Sequence, residues 1–459
     1  MIAHSRRAAF FTALLSAICS LSCQQRATAR NAGTPIHNST GRLIAKIHPA
    51  GFKFAHDTYN GIARASDGKV YYVLCSDRID VGAKMYAFDP ASDKVSLIGD
   101  LTEAAGEASL KAVPQGKSHV NFVESNGKLY FATHIGYYDT SSGVERVGVP
   151  PPGYKPYPGG HFLSYDLGSG TFENLGRAPS NEGIQAFAMD PERARLYGLT
   201  WPSGHFLRLD LHTSNLRDFG PVSLAGEARN GPDHRTLCRS LQRDPTNGFI
   251  YFTRADGAIL RYRPNDETVE CVAGENMRKD YFGVWDPSSP GTMGYNWRKT
   301  FWYQPRQAII GVHGNSGYLF QFDPQKPRLD VLKRITSEPS RRSGMYDQFS
   351  YGYLGFDLGP DGHTVYYLTG GPIYRNGKRV AADHPPQSGE LMADEEVRLV
   401  TYDLNTSAYL DHGAVYFADG GRPSYCQSVA IDRDGTVYTM SRVPGQGEPF
   451  RTELISFKP

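Results

Sequence analysis

One pattern recurs along this chain: a short strand, a turn on Asp-Gly or Asp-Pro, an aromatic strand, a loop, and a strand ending near an aspartate. Gly61–Tyr72 leads to Met85–Asp89, and Val120–Phe131 leads to Phe162–Asp166. Ala186–Tyr197 precedes Phe206–Asp210, and Ser240–Phe252 precedes Ile259–Tyr262. Phe301–Gly311 precedes Tyr318–Asp323, and Gly355–Tyr367 precedes Leu399–Asp403. Ser428–Thr439 and Glu453–Phe457 complete a seventh copy. A repeat of this kind overrides the multi-domain expectation that 459 residues would otherwise raise.

Each unit predicts a four-stranded antiparallel blade, with period-two alternation and turn residues where a positive φ is needed. The last unit stops at Phe457 without a fourth strand, while Gly41–His48 is strand-like and unpaired. Supplying the missing strand from there would close the ring and remove exposed edges. The expected fold is all-β: a single seven-bladed β-propeller over residues 41–459, closed by an N-terminal strand. No helical period of useful length competes with it. Aromatic residues at 12% and 49 glycines agree with β structure.

Residues 1–30 read as an export signal, with Arg6 and Arg7 as a basic start and Ala8–Leu21 as a short apolar stretch. Cys23 is a candidate lipid-attachment cysteine, so a periplasmic or secreted protein, lipid-anchored or free, is expected. No later segment reaches the ~18 apolar residues that cross a bilayer. A net charge of +2 with no basic run argues against nucleic acid as a partner. Cys75, Cys238, Cys271 and Cys426 lack metal-site spacing and read as small buried residues. A monomer is expected. Four insertions interrupt the repeat: 136–160, 274–294, 337–348 and 375–396. The first three are aromatic and sparsely charged and read as walls of a cleft.

The repeat also serves as a ruler. Five residues before each inner turn stand Asn60, His119, Gln185, Arg239, Lys299, Leu354 and Gln427. Six of these are polar, although an inner strand should be largely buried, so they predict a polar ring at one channel rim. Four residues beyond the aromatic of the second strand come Cys75, His134, Trp201, Ala255, His313, Gly370 and Arg442. The register sends these to the same rim, which gathers His119, His134, His313, Arg239 and Arg442. Trp201 could stack on a sugar face. Tyr295 and Arg342 lie at entries to the fifth and sixth blades, where Arg342 could hold a carboxylate bidentately. Tyr197 has tyrosine counterparts in other units, which favours packing over chemistry.

Several chemistries lack their residues. There is no Gly-x-Ser-x-Gly elbow, no His-Glu-x-x-His and no phosphate-binding glycine loop. A glycosidase needs two facing carboxylates, and Glu182 and Asp347 are the nearest candidates. No cofactor is required by these residues, although His234 and Cys238 could hold a structural metal. A basic, imidazole-rich rim suits an acidic polysaccharide and β-elimination at a uronate. A cation neutralises the carboxylate, a neutral His or Tyr removes the C5 proton, and an acid protonates the leaving O4 oxygen. The alternative is a non-catalytic propeller that binds glycans or proteins.

The motifs Lys117-Ser-His119, Ala132-Thr-His134-Ile-Gly136, Tyr197-Gly-Leu-Thr-Trp201 and Gly311-Val-His313-Gly-Asn-Ser-Gly317 carry a resemblance. In them the chain resembles the seven-bladed propeller polysaccharide lyases: ulvan, oligogalacturonate and rhamnose–glucuronate lyases. The resemblance implies a pair of histidines with a downstream tyrosine and arginine, roles for which His119, His134, Tyr197 and Arg239 stand as candidates. By the same resemblance Gln185, Trp201, Tyr295, His313 and Arg342 are candidates for substrate binding. Oligogalacturonate lyases hold a metal through a glutamine and clustered histidines, and no such cluster is visible in this sequence.

Overall fold

Aspartates set where the strands end. Asp89 accepts a hydrogen bond from the Ala91 amide at 2.9 Å, and Asp166 accepts from the Gly168 and Ser169 amides at 2.9 and 2.8 Å. Asp210, Asp323 and Asp403 cap the amides two and three residues ahead in the same way. A carboxylate that satisfies the turn's own amides gives the chain an alternative to continuing the ladder, so the third strand stops and a fourth returns beside it.

The computed structural model describes residues 42–141, 144–283, 294–314, 316–343, 355–372, 374–375, 378–379, 395–423, 425–426, 428–444 and 451–459. The expected export signal, Cys23, Asp347, Leu354, Gln427 and most of insertion 375–396 lie outside the described residues. Five four-stranded antiparallel sheets follow one another. The first runs Ile62–Arg64, Val70–Leu74, Lys84–Asp89, Lys94–Asp100. The second runs Val123–Ser125, Lys128–Ala132, His161–Asp166, Phe172–Arg177, with the hairpin Tyr138–Ser141/Val144–Val147 inserted after its second strand. The third, fourth and fifth span Gly183–Pro221, Gln242–Asn276 and Trp297–Arg334. An eight-stranded sheet holds the rest, with Leu43–His48 parallel to Tyr409–Phe417 on one side and antiparallel to Arg451–Phe457 on the other.

Innermost strands neighbour one another: Gly183–Asp190 lies against Gln242–Arg243, that strand against Trp297–Tyr303, and Ile62–Arg64 against Ala430–Ile431. This is a β-propeller, all-β apart from a few short helices. The pairing of third with fourth strands carries a bulge in each of the five four-stranded sheets, as between Met85 and Tyr86 and between Phe162 and Leu163. Such bulges add twist to the outer edge. The inner strands bulge too, at Gln185 and at Arg298.

Aromatic side chains fill the seams between sheets. Phe206 is fully buried, stacked 5.3 Å from Phe252 at an interplanar angle of 10° and 5.2 Å from Tyr262. Truncating it removes a ring from between two sheets that pack through their side chains. Phe206→Ala is expected to cost about 3–5 kcal/mol in a denaturant titration; a loss near 1 kcal/mol would mean the seam relaxes.

Candidate functional site

The second sheet builds the centre of the site. Before its first strand, Lys117 exchanges backbone hydrogen bonds with His134, N–H to carbonyl at 2.9 Å and 2.7 Å in return. This bridge holds Lys117-Ser-His119 beside the end of the second strand. The His119 and His134 rings meet edge to face with centroids 4.4 Å apart. The expected convergence of these two histidines is therefore present. Tyr59 lies 4.6 Å from the His119 ring, and the Tyr138 hydroxyl sits 3.1 Å from His134 Nδ1.

The His134 tautomer follows from its partners. Nδ1 is 2.9 Å from the Ile135 carbonyl, which can only accept, so Nδ1 carries the proton. Nε2 is left as an acceptor, buried and without a hydrogen-bond partner among the described residues. Burial lowers the His134 pKa to about 3; the Ile135 carbonyl opposes this, and the Lys117 and Arg239 charges add to it. His119 is also held well below the usual histidine range, by burial first and then by His134, Lys117, Arg239 and Arg298. Both rings are neutral at neutral pH.

His119 opens onto a cavity of about 200 Å³ whose walls include Asn60, Asn121, Arg239, Gln242 and Lys299. These are residues the ruler assigned to a polar ring, joined by two side chains it did not mark. Lys299 donates to Asn60 Oδ1 at 3.1 Å and Asn121 Oδ1 at 3.0 Å. Burial lowers the Lys299 pKa, opposed by Asp357. Asn60 adopts a left-handed backbone, φ 57°, a conformation asparagine tolerates better than most residues. Gln185 occupies the inner-strand bulge between Ile184 and Ala186; it is buried, and its Nε2 has no partner among the described residues.

Arg239 sits 2.9 Å from Glu227, which also accepts from Trp201 Nε1 at 2.8 Å and from the Leu237 amide at 2.9 Å. Burial pushes Glu227 upward, but Arg239, the Leu237 amide and His234 hold it below the usual carboxylate range. Arg442 grips Asp57 with Nε 2.8 Å from Oδ1, and its guanidinium lies 4.3 Å from the Tyr425 ring. The Tyr425 and Tyr59 hydroxyls are 2.9 Å apart. Tyr59, Tyr138, Lys117, Tyr425 and Asp57 are site residues that the ruler passed over. They lie outside the repeat, Tyr138 in the inserted hairpin and the others in connections, where the period of the repeat carries no information.

Other expectations need correction. Tyr197 does not join the histidines: its ring is fully buried between Tyr262, at 5.4 Å, and Phe206, at 6.0 Å, and burial pushes its hydroxyl far up. Trp201 is only 3% exposed, its ring 5.5 Å from His134 and its N–H on Glu227, so it supports His134 and offers no open face to a sugar. His313 is saturated, with Nδ1 2.8 Å from Ser316 Oγ and Nε2 3.0 Å from the Gly294 carbonyl, and it stacks on Phe282. It is a packing histidine. Tyr295 is half-buried against the hydrophobic core. Arg342 is exposed on the short helix Glu338–Ser343, its Nε 3.4 Å from the Glu338 carbonyl. Glu182 accepts from Thr200 Oγ1 at 2.6 Å and from the Ser203 amide at 3.2 Å, which gives it a structural role. The Cys238 thiol contacts the Ser240 carbonyl at 3.2 Å, and among the described residues no group of three or more His, Cys, Asp or Glu is placed to hold a metal. Cys271 is exposed, unlike Cys75, Cys238 and Cys426. Among the described residues no helix is long and apolar enough to cross a membrane.

No family model matches the chain, and no curated protein matches it. Solved structures similar to it include virginiamycin B lyase from Staphylococcus aureus, 8% identical with a TM-score of 0.48, covering 91% of this chain and 98% of that one. A protein described as a 6-phosphogluconolactonase from Bacteroides uniformis is 12% identical with a TM-score of 0.41, covering 76% and 82%. The extracellular domain of a protein assigned as a one-component system from B. thetaiotaomicron is 12% identical with a TM-score of 0.45, covering 90% of this chain. The chain spans 40% of the length of that domain.

Proposed function

We propose that this protein is an exported polysaccharide lyase that cleaves a uronic-acid-containing glycan by β-elimination. The observation that carries the reading is the His119–His134 pair, neutral at neutral pH and set among the cationic side chains of Lys117, Arg239 and Arg298. In this reading His119, on the cavity wall, takes the C5 proton. The electron pair forms the C4–C5 double bond as the C4–O4 bond breaks, and the leaving oxygen is protonated from Tyr59 or water. His134 backs the base from behind. Tyr59 replaces Tyr197 because it touches the His119 ring.

The electrostatics support this order of events. Burial first, and then the positive charges of Lys117, Arg239 and Arg298, keep His119 neutral. When a uronate carboxylate arrives, it offsets those charges and strengthens His119 as a base where the proton must be taken. We also read the eight-stranded sheet as two blades joined through Leu43–His48, which makes seven blades and closes the ring with an N-terminal strand.

The test is to incubate the purified protein with ulvan, pectic oligomers, glycosaminoglycans and rhamnose–glucuronate gums, following the ultraviolet absorbance of unsaturated uronate. A rise on one of these glycans is expected. Binding without any rise would make the protein a glycan-binding propeller, and neither binding nor rise would overturn the glycan reading altogether.

A further inference from the structure

Lys117 is a buried cation, only 3% exposed. Its ammonium lies 4.4 Å from the centre of the Tyr138 ring and 5.8 Å from that of Tyr59. Each of those rings in turn touches one histidine of the pair, Tyr138 at His134 and Tyr59 at His119. Because Lys117 and His134 form a directly opposed antiparallel pair, their side chains leave the backbone on the same face. The ammonium is therefore held between two tyrosine faces, beside both imidazoles.

Buried charges in proteins are paired, since an isolated ammonium taken from water is costly. The neighbouring arginines obey this rule: Arg239 has Glu227 and Arg442 has Asp57. Lys117 does not. Among the described residues no carboxylate lies within ion-pair distance of it, and no side-chain hydrogen bond from its ammonium is present. Tyrosine faces attract a cation without neutralising it. A small anion beside the ammonium would offset its charge.

We propose that Lys117, rather than the already neutralised Arg239, takes the carboxylate of the bound uronate as its counter-ion, with Tyr59 and Tyr138 as the walls of a carboxylate subsite. This rests on the uronate reading given above. It assigns the charge-neutralising role to a residue outside the repeat positions and places the carboxylate within reach of the histidine that removes the adjacent proton.

The experiment compares D-glucuronate, its neutral methyl ester and D-glucose by calorimetry on the wild type, Lys117→Gln and Lys117→Arg, with circular dichroism as a check of folding. Wild type is expected to prefer the free acid over the ester by roughly 10-fold or more. Lys117→Gln should erase that preference, and Lys117→Arg should retain part of it. An acid preference that survives in Lys117→Gln overturns the assignment while the uronate reading stands. Absence of any acid preference in the wild type overturns both. Should Lys117→Gln not fold, Lys117→Met, which keeps the apolar stem and removes the charge, takes its place in the same comparison. Loss of the acid preference is expected in it, and an acid preference that survives overturns the subsite.

Discussion

His119→Ala is expected to lower kcat/KM for uronate elimination about a thousandfold, within the range lost when a positioned general base is removed, with the thermal midpoint little changed. The ring stands on the wall of the cavity, so its loss opens space already continuous with that cavity. His134→Ala should be equally inactive but also less stable, because that ring is buried against Trp201 and Tyr138. Tyr197→Phe supplies the contrast. Its hydroxyl lies in the seam with Tyr262 and Phe206, so turnover should stay within about twofold of wild type. A Tyr197→Phe enzyme as inactive as His119→Ala would restore the tyrosine role that the sequence motif implies and would contradict the geometry described above. Initial rates on the responsive glycan, with melting curves for each variant, decide the matter.

The second large effect is acid instability above the range where carboxylates titrate. Burial lowers His134 to about 3, His313 to about 4 and His48 to about 4, from an ordinary 6.5. The unfolded chain therefore binds protons at these sites before the folded one does, and stability rises with pH. It is complete above pH 6.5 and is lost as pH falls toward the folded values. Each such histidine costs about 1.4 kcal/mol per pH unit in that window, so His134 and His313 together account for on the order of 5 kcal/mol between pH 6.5 and 4.5. Urea titrations at half-unit pH steps should show this slope. In His313→Gln the slope should fall by one histidine's share, and an unchanged slope would falsify the assignment of His313 as a neutral buried ring.

Much of this was legible before any coordinates. The Asp-capped turns and aromatic second strands follow local rules of hydrogen bonding and alternation, so the units could be counted. The register argument brought His119, His134, Arg239 and Arg442 to one region because strand periodicity fixes which end a residue reaches. It failed where direction depends on neighbours. His313 occupies the same strand position as His134, yet Ser316 and the Gly294 carbonyl saturate it. Trp201 reaches the right place, but the loop bearing Glu227 covers it. The roles of Lys117, Tyr59 and Tyr138 do not follow from the repeat, because these residues stand in connections whose conformation is set by contacts distant in sequence.

The strand Leu43–His48 has a consequence for assembly. Both of its neighbours, Tyr409–Phe417 and Arg451–Phe457, come from the far end of the chain. During synthesis the earliest strand therefore waits, unpaired, for hundreds of residues. Five sheets can form from consecutive strands in the meantime, but this junction forms last and across the longest loop. A chain cut short after the fifth sheet would keep its local order and carry a sticky leading strand with nothing to latch onto. Incomplete molecules of this protein should thus betray themselves by clumping at their front end.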